Sequence, residues 1–224
     1  MASSSNSNNN AGRHARTALM DIYKAERSWD GWNSDGITIT NDLVNLLLQA
    51  HNSQEPAVWH PTLPQLFPDV AEKFLTTTLI TARHKIDQLQ HKITMMNRQI
   101  DRIDAASELL IKLLPPKGSS VEFVEPLLFG SVTWYAELAQ RVEGAYRAAV
   151  DMRVGHIAEL EKCIEGFESV QGGARLDSDE QLVKLSYWLH SPGLKNAILL
   201  DTTSTLMLSD FDELVRMELG IEQI

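Results

Sequence analysis

The sequence predicts an all-α protein: a long coiled-coil helical hairpin with an irregular, proline-rich N-terminal region and short C-terminal helices. Three observations predict this class. Apolar residues recur at alternating steps of three and four over residues 75–114, which is the spacing of a helix that buries one stripe. A second run of helical spacing covers residues 124–168. Apart from ITIT at 37–40, no segment alternates with the period of two that marks a strand.

The first long helix carries the strongest signal. It is predicted from about residue 70 to 114, contains no Gly or Pro, and would be roughly 65 Å long. Because a helix cannot bury such a stripe alone, the apolar positions of the stripe are candidate partner-binding residues. These positions are Leu75, Leu79, Ile86, Leu89, Ile93, Met96, Ile100, Ile103, Leu110 and Leu114.

The residues that flank the stripe disfavour self-pairing. Lys85 and Lys92 occupy successive g positions of the heptad, and Gln90 occupies an e position. Two copies of this helix would gain little from such flanks, because matched e and g charges are what select a coiled-coil partner. A different helix, or the second long helix of this chain, is therefore the expected partner of the stripe.

The segment PPKGSS at 115–120 separates the two long helical runs. Two prolines and a glycine end a helix abruptly, and a short connection between long helices favours an antiparallel pair. Residues 70–168 are thus predicted to form the coiled-coil hairpin, with its turn at 115–120.

Residues 1–69 are predicted to be less regular. The Ser/Asn-rich residues 1–12 are expected to form a disordered tail, and 13–69 to hold N-terminal helices and a Pro-rich connector. Within this region, DGWNSDG at 30–36 has the composition of a turn. The next segment is expected to start with an extended stretch at ITIT and to continue as a short helix through Leu48. The connector has four prolines, and its expected apolar anchors are Trp59, Leu63, Leu66 and Phe67.

The C-terminal region, residues 177–220, is predicted to form short helices. Their sequences are EQLVKLSYWLH, GLKNAILLDTTSTLML and SDFDELVRMELG. The break QGGARLDSD at 171–179 separates them from the hairpin.

The charge is acidic and uneven. The formal net charge is −10, and residues 155–224 hold thirteen acids against five bases. Such a surface repels nucleic acid and anionic membranes, so neither is an expected partner, and a basic protein partner suits it better. Cys163 is the single cysteine, and no apolar run reaches the ~20 residues of a membrane span. Together these features predict a protein of the cytosol or nucleus.

No arrangement of residues indicates catalysis. The sequence lacks a phosphate-binding glycine loop, a nucleophile elbow and a zinc-binding HExxH motif. His84 and His91 share a helix face but lie about 10 Å apart along it, too far to share a metal without other ligands. We therefore expect a non-enzymatic protein without metal or cofactor.

One stretch resembles a known family. ASELLIKLLPPKGSSVEFVEPLLFGSVTWYAELAQRVE at 106–143, with AAVDMRVGHI at 148–157, is similar to the second subunit of the HAUS/augmin complex. The resemblance covers mainly residues 75–157. It implies a coiled-coil subunit of a hetero-oligomer that promotes microtubule-dependent microtubule nucleation in the mitotic spindle by recruiting γ-tubulin.

The resemblance implies other coiled-coil subunits as direct partners, with microtubules and the γ-tubulin complex as indirect ones, and it carries over no catalytic residue. A coiled-coil subunit of a kinetochore or another multi-protein scaffold is the alternative.

Overall fold

The computed structural model describes residues 3–114, 127–168, 178–190, 194, 198–200 and 206–221, and it confirms the all-α class. The helices are α1 (Ser3–Ser53), α2 (Thr62–Leu66), α3 (Val70–Lys112), α4 (Val132–Glu168), α5 (Ser178–His190) and α6 (Leu208–Leu219). A 3-10 turn occupies Pro56–Val58, and two short strands, β1 (Ile198–Leu200) and β2 (Leu206–Met207), precede α6. The first long helix thus lies where the stripe predicts it.

The chain divides into two compact units. The first comprises the described parts of Met1–Gly31, Met96–Ala149 and Pro192–Ile224, and the second those of Trp32–Met95 and Val150–Ser191. Helices α1, α3 and α4 each contribute residues to both units.

Helix α1 differs most from the sequence prediction. Over the described residues from Ser3 onward, the predicted disordered tail, the turn at 30–36 and the extended start at ITIT are wrong, because one helix covers Ser3–Ser53. Residues 1 and 2 of the predicted tail lie outside the described residues. The physical reason is a buried stripe that continues through the turn-like segment at Trp29, Asn33 and Thr40. The hydroxyl of Thr40 donates to the Gly36 carbonyl at 2.8 Å, so its polar group is satisfied within the helix.

The Pro-rich connector after α1 is short and exposed. The indole Nε1 of Trp59 donates to the Ser53 carbonyl at 2.8 Å, and its ring meets Phe74 edge-on at 5.7 Å. Leu63, Leu66 and Phe67 are exposed instead of serving as internal anchors. That prediction is wrong for these three residues, while Trp59 is half-buried.

Helix α4 begins at Val132, later than the predicted start near 124–126. The Ser131 hydroxyl accepts a hydrogen bond from the Trp134 backbone N–H at 3.0 Å, which is an N-terminal cap. Gly130 precedes Ser131, and a Cβ atom at position 130 would lie only 2.5 Å from the Trp134 ring. The start of α4 is therefore set by the Ser131 cap and by Gly130, which leaves room for the Trp134 ring. The predicted hairpin turn at 115–120 lies outside the described residues.

In the second unit, α3 runs antiparallel to both other long helices. Lys85 and Lys92 of α3 pair with Asp42 and Asp35 of α1 at 2.7 and 2.8 Å. On the other flank, Arg83 pairs with Glu168 of α4, and Gln90 donates to Glu161 at 2.6 Å. In each set, the residue number falls on one helix as it rises on the other.

In the first unit, Glu218 of α6 fixes the segment before α4. Its carboxylate accepts from the backbone N–H groups of Leu128 and Phe129 at 2.7 and 3.1 Å, and Arg16 of α1 lies 3.5 Å away. Two backbone donors and a guanidinium offset the desolvation of this buried carboxylate.

The C-terminal region is only partly helical. Helices α5 and α6 confirm two of the three predicted segments, but the predicted middle helix is wrong because β1 and β2 occupy part of its sequence. The strands pair antiparallel, with Ile198 opposite Met207 and Leu200 opposite Leu206. The run of Ile and Leu at 198–200 suits a strand as well as a helix, and tertiary pairing decides between them.

Ser107 provides a test of this packing. It is the polar residue in the α3 stripe, it is buried, and its hydroxyl has no hydrogen-bond partner among the described residues. Replacing it by alanine removes an unsatisfied polar group and raises helix propensity. We expect Ser107→Ala to increase the free energy of unfolding by about 1 kcal/mol in urea denaturation.

The control for this substitution is Ser28→Ala, since Ser28 lies in α1 and its hydroxyl is bonded to the Lys24 carbonyl at 2.9 Å. This change should stay within about 0.5 kcal/mol of the wild type. Destabilisation by Ser107→Ala would show that the hydroxyl has a partner.

Candidate functional site

The predicted partner-binding stripe of α3 is buried within the chain itself. Eight of its ten residues are buried: Leu79, Ile86, Leu89, Ile93, Met96, Ile100, Ile103 and Leu110. Leu75 and Leu114, at the two ends of the stripe, are half-buried. That the stripe binds another protein stays a prediction, because helices of the same chain already cover most of it in this structure.

The flanking pairs show how this burial is arranged in the second unit. The g-position lysines of α3, Lys85 and Lys92, face carboxylates of α1, and the e-position Gln90 faces α4. Lys92 also lies 4.6 Å from the centre of the Trp32 ring, a cation–π contact. Helices α1 and α4 of this chain thus contact the two flanks of the α3 stripe, where the sequence analysis expects a partner helix.

A buried polar network joins α4 to α5 in the second unit. The indole N–H of Trp188 donates to His156 Nδ1 at 3.0 Å, and His156 Nε2 lies 2.9 Å from the Gln181 amide oxygen. Because an indole nitrogen only donates, Nδ1 must be unprotonated, and Nε2 carries the proton that Gln181 accepts. The network therefore fixes His156 in its neutral Nε2–H form.

Arg153 lies beneath the same tryptophan. Its Nε donates to the Asn33 amide oxygen of α1 at 2.9 Å, and its guanidinium lies 5.2 Å from the centre of the Trp188 ring. Burial lowers the pKa of Arg153 to about 10, so the side chain stays charged at neutral pH. The sequence prediction missed this network because it treated 30–36 as a turn.

Gly36 is the sequence feature that could have indicated the contact between α1 and Trp188. A Cβ atom at this position would lie 2.8 Å from the Trp188 ring. Glycine at a stripe position of α1 therefore admits the indole, which no larger residue would do without a shift.

A groove lies between α4 and α5 above this network. It has a volume of about 250 Å³, and its lining residues are Met152, Arg153, Gly155, His156, Glu159, Lys184, Tyr187 and Trp188. Met152 and Tyr187 are exposed at its walls, while Trp188 is buried at its base. The groove is therefore an apolar cleft with a polar edge.

The connector and the start of α3 expose a second set of apolar side chains in the second unit. None of the α2 residues is buried, and the side chains of Leu66 and Phe67 are 66% and 57% exposed. The large apolar residues exposed over this region are Val58, Leu63, Leu66, Phe67, Phe74 and Ile80. A contiguous set of exposed apolar side chains marks a protein interaction site more often than single ones do, and Leu66 and Phe67 are adjacent in the chain.

In the first unit, Glu26 is buried, and the Tyr146 side chain lies beside its carboxyl group. Burial raises the pKa of Glu26 well above its usual range, and the carboxylates of Asp212 and Asp30 add to this. Burial therefore favours the neutral form of this carboxyl group.

The described residues hold no group of three or more His, Cys, Asp or Glu side chains that could bind a metal ion. Burial raises the pKa of the Cys163 thiol, so the reactive thiolate is disfavoured. Across the described ranges, no helix has the length and apolarity needed to cross a membrane.

Comparison of the sequence with models of known protein families and with curated proteins finds no match.

The His156 network predicts an acid-sensitive contact between α4 and α5. The pKa of His156 is lowered, first by burial and also by Lys184, while the hydrogen bond to Gln181 and the nearby Glu159 and Glu180 act against this. An unfolded histidine titrates near pH 6.5, so the unfolded chain binds more protons just below that pH. Stability should fall as the pH drops from about 6.5 towards the lowered pKa of the folded state.

The measurement is urea denaturation at pH 7.5 and pH 5.5 for the wild type, His156→Gln and the exposed control His91→Gln. The wild type and His91→Gln should lose more stability on acidification than His156→Gln does. Equal losses in all three proteins would show that His156 is not a buried neutral group.

Proposed function

We propose that the chain is a non-catalytic coiled-coil subunit of an augmin-like complex, which promotes microtubule-dependent microtubule nucleation in the mitotic spindle. One observation carries the subunit role: the apolar side chains of the connector and the start of α3 are exposed, although the α3 stripe is already buried within the chain. A partner protein that covers Leu66 and Phe67 would remove this apolar area from water.

The coiled-coil hairpin is part of the proposal. Its turn at 115–120 is not described, but α3 and α4 run antiparallel in the second unit through Arg83–Glu168 and Gln90–Glu161. These contacts support a hairpin of α3 and α4, which α1 joins as a third long helix through Lys85 and Lys92.

The augmin assignment rests on the sequence resemblance at 106–143 and 148–157. In this assignment the chain lies on spindle microtubules, and its direct partners are other coiled-coil subunits. Microtubules and the γ-tubulin complex are reached indirectly, because a chain of net charge −10 repels the acidic surface of tubulin. Affinity for microtubules therefore belongs mainly to the partners.

The test combines depletion with rescue in dividing cells. Depletion should lower spindle microtubule density and spindle-associated γ-tubulin, while γ-tubulin at the poles remains. The wild type and Gln65→Glu should restore both. The double variant Leu66→Glu with Phe67→Glu should fail, because charged residues cannot be buried in an apolar contact without a cost of several kcal/mol.

The same three proteins are then purified with their partners and identified by mass spectrometry. We expect the double variant to lose most of the co-purifying coiled-coil subunits that the wild type and Gln65→Glu retain. An intact spindle with detached chromosomes, together with centromere proteins among the co-purified partners, would instead support the kinetochore alternative. Equal recovery of coiled-coil subunits by all three proteins would contradict a role for the connector surface, which is the set of exposed apolar side chains around Leu66 and Phe67.

A further inference from the structure

The groove between α4 and α5 has the geometry of a docking site for one helix. The two helices are in contact there: Gln181 is hydrogen-bonded to His156, Lys184 pairs with Glu159, and Arg153 donates to the Trp188 carbonyl. The walls are the exposed side chains of Met152 and Tyr187, and Trp188 closes the base. Gly155 lines the groove, and a Cβ atom added there would meet nothing within 4 Å, so a larger side chain at this position has room to extend into the groove.

The size of the groove favours a side chain over a metabolite. Its volume of about 250 Å³ lies below the range of ~300–1,000 Å³ that is usual for small-molecule sites. Its base is already satisfied, because His156 uses both ring nitrogens on Trp188 and Gln181. Such a cleft suits one or two bulky apolar anchors of a helix laid between α4 and α5.

The charge at the edge of the groove favours basic residues on either side of the apolar anchors of that helix. Lys184 lies between Glu159 and Glu180 and pairs with both. Its side chain is 24% exposed, whereas those of Glu159 and Glu180 are 50% and 58% exposed. An approaching molecule therefore meets mainly carboxylate, and Asp151 beside Met152 is also exposed.

We propose that this groove binds an amphipathic helix of a partner subunit, whose apolar anchors enter between Met152 and Tyr187 and whose flanking residues are Lys or Arg. The proposal deepens the proposed function, on which it rests only in taking the chain as a subunit of a larger assembly. A second copy of this chain is disfavoured as the occupant, since each copy carries a net charge of −10 and like charges oppose their association.

The test uses synthetic helical peptides as probes of the full chain. Three fluorescent peptides are compared: a Leu/Phe-faced helix with Lys and Arg flanks, the same apolar face with Glu flanks, and a scrambled peptide of the basic composition. Binding is followed by fluorescence anisotropy at physiological ionic strength. The basic amphipathic peptide should bind at least about tenfold more tightly than either of the others.

Two glycines of α4 give a matched pair of variants. Gly155→Leu fills the groove mouth, whereas Gly144→Leu adds the same side chain to the same helix at a position that also has free space and does not line the groove. Gly155→Leu should weaken the basic peptide about tenfold or more, and Gly144→Leu should leave it unchanged. If Gly155→Leu does not fold, Tyr187→Ala, which removes an exposed wall of the groove, replaces it.

Equal binding of the basic, acidic and scrambled peptides would overturn the proposal, as would equal affinity of the two glycine variants. Self-association of the chain that Gly155→Leu abolishes would assign the groove to a second copy and would also overturn it. Failure here, with partners still recovered through the connector surface, would leave the proposed function standing.

Discussion

The burial of the α3 stripe by helices of the same chain is the constraint on which the rest of the structure depends. A helix of 43 residues with one apolar stripe cannot be stable alone, because most helical stability in proteins comes from packing of that face. In the second unit, α1 and α4 meet the two flanks of α3 through Asp35, Asp42, Glu161 and Glu168. These pairs are exposed or half-buried and contribute little energy each, but they set the direction and register of the helices. The stripe then supplies the apolar burial that stabilises them.

The sequence predicts α3 well because its stripe is long and free of Gly and Pro. The sequence-based prediction fails for α1 because the residue types at 30–36 indicate a turn, whereas the spacing of the buried residues indicates a continuous helix. Asp30, Gly31, Asn33 and Gly36 together resemble a turn, yet a step of four, three and four from Trp29 through Asn33 and Gly36 to Thr40 continues the helical spacing. Tertiary packing overrides propensity at such a place, and the contact of Gly36 with Trp188, more than 150 residues away, cannot be read from local sequence. The groove between α4 and α5 was missed for the same reason, because its base is built from this long-range contact.

Burial of the stripe changes which residues are available to a partner. The residues that the sequence marks as partner-binding mostly stabilise the chain. Exposed apolar side chains of the second unit lie elsewhere, among them Leu66 and Phe67 of the connector and Met152 and Tyr187 beside the groove. These two surfaces differ in character. The connector offers apolar side chains on short elements with no buried residue in α2, whereas the groove is shaped by a fixed hydrogen-bond network and edged by carboxylates. In the proposed role as a subunit, the chain would contact two different segments of an assembly through these surfaces while its own long helices keep their packing.

Amide hydrogen exchange on the isolated chain tests the central claim most directly. If α1 and α4 cover the α3 stripe, the amides of residues 86–103 should be protected in the absence of any other protein. Their protection should match that of residues 43–50 of α1, where Leu43, Leu47 and Ala50 are also buried. Addition of a partner should then slow exchange around the connector and the groove but leave residues 86–103 unchanged. Rapid exchange of residues 86–103 in the isolated chain, with protection only after a partner is added, would show that the stripe is an interface between proteins and would contradict the account.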